Sequence, residues 1–86
     1  MRVVIAEDSV LLREGLTRLL VEAGHEVAAA EGDGEKFLRA VAAHVPDAVV
    51  VDVRMPPTFT DEGLRAALLV RDRWPDVGVL VLSQWV

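Results

Sequence analysis

The chain has 86 residues, no cysteine and a net charge of −5 at pH 7. That limits it to one small domain, removes disulfides and thiolate metal sites, and speaks against charge-driven nucleic-acid binding by this segment. The residues are 52% hydrophobic, a composition suited to a sheet covered on both faces, and no uncharged run is long enough for a membrane span.

Residues 2–6 are a short apolar run, read as strand one, ending in the acidic pair Glu7-Asp8. Acids so close to the start leave no room for a signal peptide, so a cytoplasmic protein is expected. Ser9 has the chemistry of a helix N-cap. Leu12, Leu16, Leu19, Leu20 and Ala23 then recur at helical spacing, Arg13, Glu14, Thr17, Arg18 and Glu22 fall on the other side, and Gly24 is placed to end this first helix. Residues 25–30 read as a weaker second strand near the sheet edge, and 31–34 as a turn. A second helix follows over 35–44, with Phe37, Leu38, Val41 and Ala42 as its apolar stripe and Pro46 closing it.

Strand three begins at Asp47 or Ala48 and runs through Val49-Val50-Val51-Asp52-Val53 until Pro56-Pro57 stops it. The absence of polar alternation reads as a strand buried on both faces. After an irregular loop, Thr60 or Asp61 caps a third helix through Leu64, Leu68, Leu69 and Val70 to about Trp74. Pro75-Asp76 turns the chain into strand four over 77–82, and Ser83-Gln84-Trp85-Val86 follows. His25 and His44 flank the second strand and helix as surface groups.

Alternating strands and helices call for an open parallel α/β sheet. Three of its strands end in chemically capable side chains: Glu7 and Asp8, then Asp52, then Ser83. Singly these read as caps and solvated turns. If strands one and three are neighbours, however, the strand order reverses there and the three carboxylates meet in a crevice. Clustered carboxylates repel, and magnesium suits a small all-oxygen site that also takes phosphate oxygens. That points to phosphoryl chemistry, with Asp52 as nucleophile and the Ser83 hydroxyl donating to a phosphoryl oxygen.

Val4-Ile5-Ala6-Glu7-Asp8-Ser9, Val50-Val51-Asp52-Val53-Arg54-Met55-Pro56 and Leu80-Val81-Leu82-Ser83, in this order and spacing, resemble a response regulator receiver domain of two-component signalling. Residues 55–67 and the ending Leu82-Ser83-Gln84-Trp85-Val86 further resemble the LuxR/NarL-like class, in which a C-terminal helix-turn-helix domain binds DNA. The resemblance implies a flavodoxin-like doubly wound parallel sheet with strand order 2-1-3-4. Residues 1–86 would be its N-terminal part, without the fifth strand, the last two helices or the output domain. It also implies that Asp52 accepts phosphate from a histidine kinase, and that Mg²⁺ is held by Glu7, Asp8, Asp52 and the Arg54 backbone carbonyl. Ser83 would contact the phosphate as the switch residue, with Trp85 in the loop that moves with it. Such a domain promotes its own aspartyl phosphorylation and is not a conventional enzyme. The family's phosphate-contacting lysine at the end of strand five has no counterpart here, because Lys36 lies on helix two.

Two other readings compete. A pseudo-receiver would be an interaction module working without phosphate, and an uncovered strand-four edge would favour self-association. A phosphatase of the haloacid dehalogenase type would want a second acid two residues after the nucleophile, where this chain has Arg54.

Overall fold

The computed structural model describes residues 1–53 and 62–82. These form β1 (Arg2–Ala6), α1 (Val10–Glu22), β2 (Glu26–Glu31), α2 (Gly34–His44), β3 (Ala48–Asp52), α3 (Glu62–Arg73) and β4 (Gly78–Leu82). All strand pairs are parallel, in the order β2-β1-β3-β4. This is the doubly wound arrangement and strand order expected from the sequence. Right-handed crossovers that step outward to β2 and then back across β1 to β3 must lie on opposite faces of the sheet. Accordingly α1 packs on one face and α2 with α3 on the other.

The sheet is most deeply buried at its centre. Val49 and Val51 of β3 are fully enclosed, as are Val4 and Ile5 of β1. Val4, Ala6, Val49 and Val51 meet Phe37, Ala40 and Val41 of α2 and Ala66, Ala67 and Val70 of α3. On the other face, among the described residues, Val3, Ile5 and Val50 meet only Leu16 and Leu20 of α1, beside Val27, Ala30 and Leu82. β2, whose residues are half-buried at best, is an edge strand as its sequence suggested.

The helices depart from the expected stripes in a consistent way. In α1 no residue is buried; Leu12 is 42% and Leu19 65% exposed, so only Leu16 and Leu20 of the periodic leucines reach the sheet. In α2 Ala42 is exposed and Ala40 takes its place inside. In α3 Leu64, Leu68 and Leu69 flank the contact, while Gly63, Ala66, Ala67 and Val70 make it. Small residues let α3 lie close to the strands, which pushes its larger side chains to the margins.

Helix ends follow local chemistry. The Ser9 hydroxyl accepts from the Leu12 N–H at 3.3 Å, and the Asp33 carboxylate from the Lys36 N–H at 2.8 Å. Gly24 adopts φ +93°, the Gly24 N–H donates to Val21 O and the His25 N–H to Leu20 O, which together close α1 in a Schellman turn. α2 is closed by Val45 at φ 42°, a left-handed conformation unusual for a β-branched residue, just ahead of Pro46. The expected Thr60 or Asp61 cap of α3 lies outside the described residues.

One glycine sets how α3 meets β3. The Gly63 N–H donates to Val53 O at 2.8 Å, and a Cβ at position 63 would lie 2.6 Å from the Asp52 carbonyl carbon and 2.9 Å from that of Val53. Both obstacles are backbone and cannot turn aside. Gly63→Ala is therefore expected to lower stability by about 3 kcal/mol, the upper end of overpacking costs. Denaturant unfolding checks this, and an unchanged midpoint would contradict the close approach.

Candidate functional site

β1 and β3 pair directly, from Val3 opposite Ala48 to Ala6 opposite Val51. Continuing both strands by one residue carries Glu7 and Asp52 out of the same end of the sheet. The Glu7 N–H donates to Glu31 O at 2.9 Å, which extends the β1–β2 ladder by one bond and fixes the start of the turn that bears Asp8. On the far side, Asp52 is in register with Leu82, and the Val53 N–H donates to Leu82 O at 3.1 Å. The crevice thus forms where the strand order reverses, outside the carboxyl ends of the strands.

Carboxylate oxygens of Glu7, Asp8 and Asp52 lie within 4.8 Å of one another. Glu7 is 2% and Asp52 5% exposed, whereas Asp8 is half-buried at the mouth. Burial is the main reason that the Glu7 carboxyl is pushed up to about 8; a hydrogen bond to Asp52, the Asp52 charge, and then Asp8 add to it. Without a cation Glu7 therefore holds a proton at neutral pH. Its Oε2 is buried and has no hydrogen-bond partner among the described residues. A buried oxygen left in this way, in an all-oxygen donor set, fits a hard divalent cation such as Mg²⁺.

The structure brings together three of the residues singled out from the sequence. Ser83, Trp85 and the Arg54 carbonyl lie outside the described residues. Lys36 is exposed on α2, as expected, and His25 sits at the opposite end of the sheet, its Nδ1 3.1 Å from the amino terminus. Two contributors were not anticipated. Gly63 admits α3 to the backbone of Asp52. Arg13, read as part of a solvent face, is half-buried and donates from Nη1 to Glu7 O at 2.9 Å. Its legible signal is electrostatic: a cation near a helix N-terminus opposes the helix dipole and wants another partner.

The response regulator receiver domain family model matches residues 3–86. The chain is 40% identical over 83 residues to the transcriptional regulatory protein DegU of Brevibacillus brevis, covering 95% of this chain and 34% of that protein. It is 33% identical over 86 residues to the oxygen regulatory protein NreC of Staphylococcus epidermidis, covering 99% and 38% respectively. The chain thus spans just over a third of the length of these relatives. Among solved structures it is similar to the response regulator TrrA of Thermotoga maritima in complex with Mg²⁺ and BeF, with TM-score 0.86 and 30% identity over 98% of this chain and 70% of that one. A LuxR-family DNA-binding response regulator from Staphylococcus aureus shares the fold, with TM-score 0.86 at 24% identity over 98% of this chain and 68% of that one. No helix among the described residues is long and apolar enough to cross a membrane.

The raised Glu7 pKa has a definite sign in stability. In metal-free solution the folded chain keeps the Glu7 proton up to about pH 8, while the unfolded chain releases it near the ordinary value of 4.5. Between those values the folded state binds more protons, so the Glu7 contribution to stability falls as pH rises through that window and then levels. Glu7→Gln, neutral at every pH, is expected to flatten this slope. Thermal unfolding with a chelator across the same pH range measures it, and an equal slope in the variant would refute the assignment.

Proposed function

The chain belongs to the response regulator receiver domain family, and from that premise we propose that Asp52 accepts a phosphoryl group from the phosphohistidine of a partner kinase. The observation that carries the proposal is the convergence of the Glu7, Asp8 and Asp52 carboxylates at the ends of β1 and β3. In the transfer a carboxylate oxygen of Asp52 attacks phosphorus and the P–N bond to the imidazole breaks. The electron pair leaves with the nitrogen, which is then protonated, and Asp52 becomes an acyl phosphate.

Glu7, Asp8 and Asp52 would hold Mg²⁺, with the Arg54 backbone carbonyl as a further ligand. When bound, the cation supplies neutralising charge for the transferring oxygens. β3 holds Asp52 at the crevice floor, the buried Glu7 excludes water from its flank, and half-buried Asp8 faces the mouth. Ser83, next after Leu82 of β4, would donate its hydroxyl to a phosphoryl oxygen and transmit the change to an interaction surface. Its role and that of Arg54 rest on the family motif alone. The reading makes the chain the cytoplasmic input part of a transcription regulator, with DNA contacts in a helix-turn-helix domain outside residues 1–86.

Acetyl phosphate or beryllofluoride with Mg²⁺ is expected to change the amide NMR spectrum of the wild-type chain and leave Asp52→Asn unaltered. Mg²⁺ alone should bind weakly, and Asp8→Asn or Asp52→Asn should weaken it further by about tenfold, equivalent to about 1.4 kcal/mol. Affinity unchanged in both variants would sink the site.

Self-association is a second element of the proposal, supported by β4. Among the described residues its outer edge has no strand partner, Gly78–Leu82 carries no charge, and Leu80 is 57% exposed. Alongside lies a groove of about 410 Å³ where Leu64, Leu68, Val79 and Val81 meet the polar rim of Arg71. Uncharged open edges pair readily. Light scattering of the 86-residue chain is expected to show a dimer or larger species that Leu80→Lys returns to monomer, and a folded wild-type monomer at high concentration would overturn it.

A further inference from the structure

Arg13 reaches the carboxylate crevice from outside it. Its Nη1 donates to the main-chain oxygen of Glu7 at 2.9 Å, and the group is half-buried. The guanidinium occupies space left by a missing side chain: a Cβ on Gly32 would stand 2.9 Å from Nη1 and 4.0 Å from Glu7 O. One arginine therefore joins α1, the end of β1 and the turn after β2. The Glu7 N–H is already tied to Glu31 O. Arg13 fixes the carbonyl side of the same residue, and with it the peptide plane linking Glu7 to Asp8. A trans peptide holds its C=O and N–H in opposite directions, so anchoring the carbonyl also sets the direction of the Asp8 N–H and the place of the Asp8 Cα from which its side chain starts.

We propose that Arg13 is a positioning residue for the divalent-cation site: by holding the Glu7 carbonyl it locks the Glu7–Asp8 peptide in the orientation that lets both carboxylates share one ion with Asp52. This rests on the reading of that site as a Mg²⁺ site. Arg13 touches no carboxylate oxygen in any hydrogen bond described, and Glu7 owes its raised pKa to burial, Asp52 and Asp8. Its effect is therefore orientation rather than charge compensation at the ligands. Gly32 is part of the device, since any side chain there displaces the guanidinium.

Mg²⁺ titration followed by amide NMR, with thermal unfolding in parallel, tests the proposal on Arg13→Ala, Arg13→Lys and Gly32→Ala. Arg13→Ala is expected to raise the Mg²⁺ Kd roughly tenfold, as for other groups that orient a metal ligand. Arg13→Lys, which keeps one donor on a flexible stem, should recover part of the loss. Gly32→Ala moves only the far end of a flexible side chain, so it should weaken Mg²⁺ with little change in Tm. The double variant should be no weaker than Arg13→Ala alone, because both remove the same contact. A lowered Tm with unchanged Mg²⁺ affinity in the Arg13 variants would overturn the proposal, leaving Arg13 a structural tie. Should Arg13→Ala fail to fold, unchanged affinity in Gly32→Ala and Arg13→Lys overturns it equally. Asp8→Asn serves as reference: if it weakens Mg²⁺ while the Arg13 and Gly32 variants do not, only this proposal falls, and if it has no effect, the site reading falls as well.

Discussion

The fold is arranged around the difficulty of keeping carboxyl groups out of water. β3 delivers Asp52 at the end of a strand enclosed on both faces, and β1 delivers Glu7 beside it, each at most 5% exposed. Buried acids next to one another do not ionise together without compensation, and the chain offers a proton on Glu7 or a place for a cation. Every other element bears on that pairing. The 2-1-3-4 order makes the two strands neighbours, α3 seals the backbone of Asp52 through Gly63, and the Glu31 and Arg13 hydrogen bonds hold the turn that follows β1.

The sequence revealed those features that depend on runs of residues. Val49-Val50-Val51 announced a central strand because a parallel strand covered on both faces has no polar alternation to obscure. Ser9 and Gly24 marked the ends of α1 because capping is local chemistry. Helix stripes were less legible. Periodicity marks apolar positions but not the depth to which each is covered, which depends on how many neighbouring elements share the face. Leu12 and Leu19 have the spacing of core residues, yet among the described residues no element covers them. In α3 the reverse holds, since glycine and alanine make the contact and the leucines border it.

The three carboxylates were legible for a different reason: each ends an apolar strand, and topology then gathers the strand ends. Gly63 and Arg13 were not, because their partners are main-chain oxygens that leave no trace in side-chain pattern.

The uneven cover of the two sheet faces also bears on motion. α2 and α3 are pinned by Phe37, Val41 and Val70, each fully enclosed, whereas α1 buries no residue. An element with so little apolar contact opens locally at a lower free energy than its neighbours, so α1 amides should exchange with solvent well before those of β3. Opening α1 also withdraws Arg13 from the Glu7 carbonyl. Under the proposed function, closure of this loosely held helix and occupancy of the crevice favour each other, and by thermodynamic reciprocity an ion in the crevice slows the breathing of a helix that never touches it.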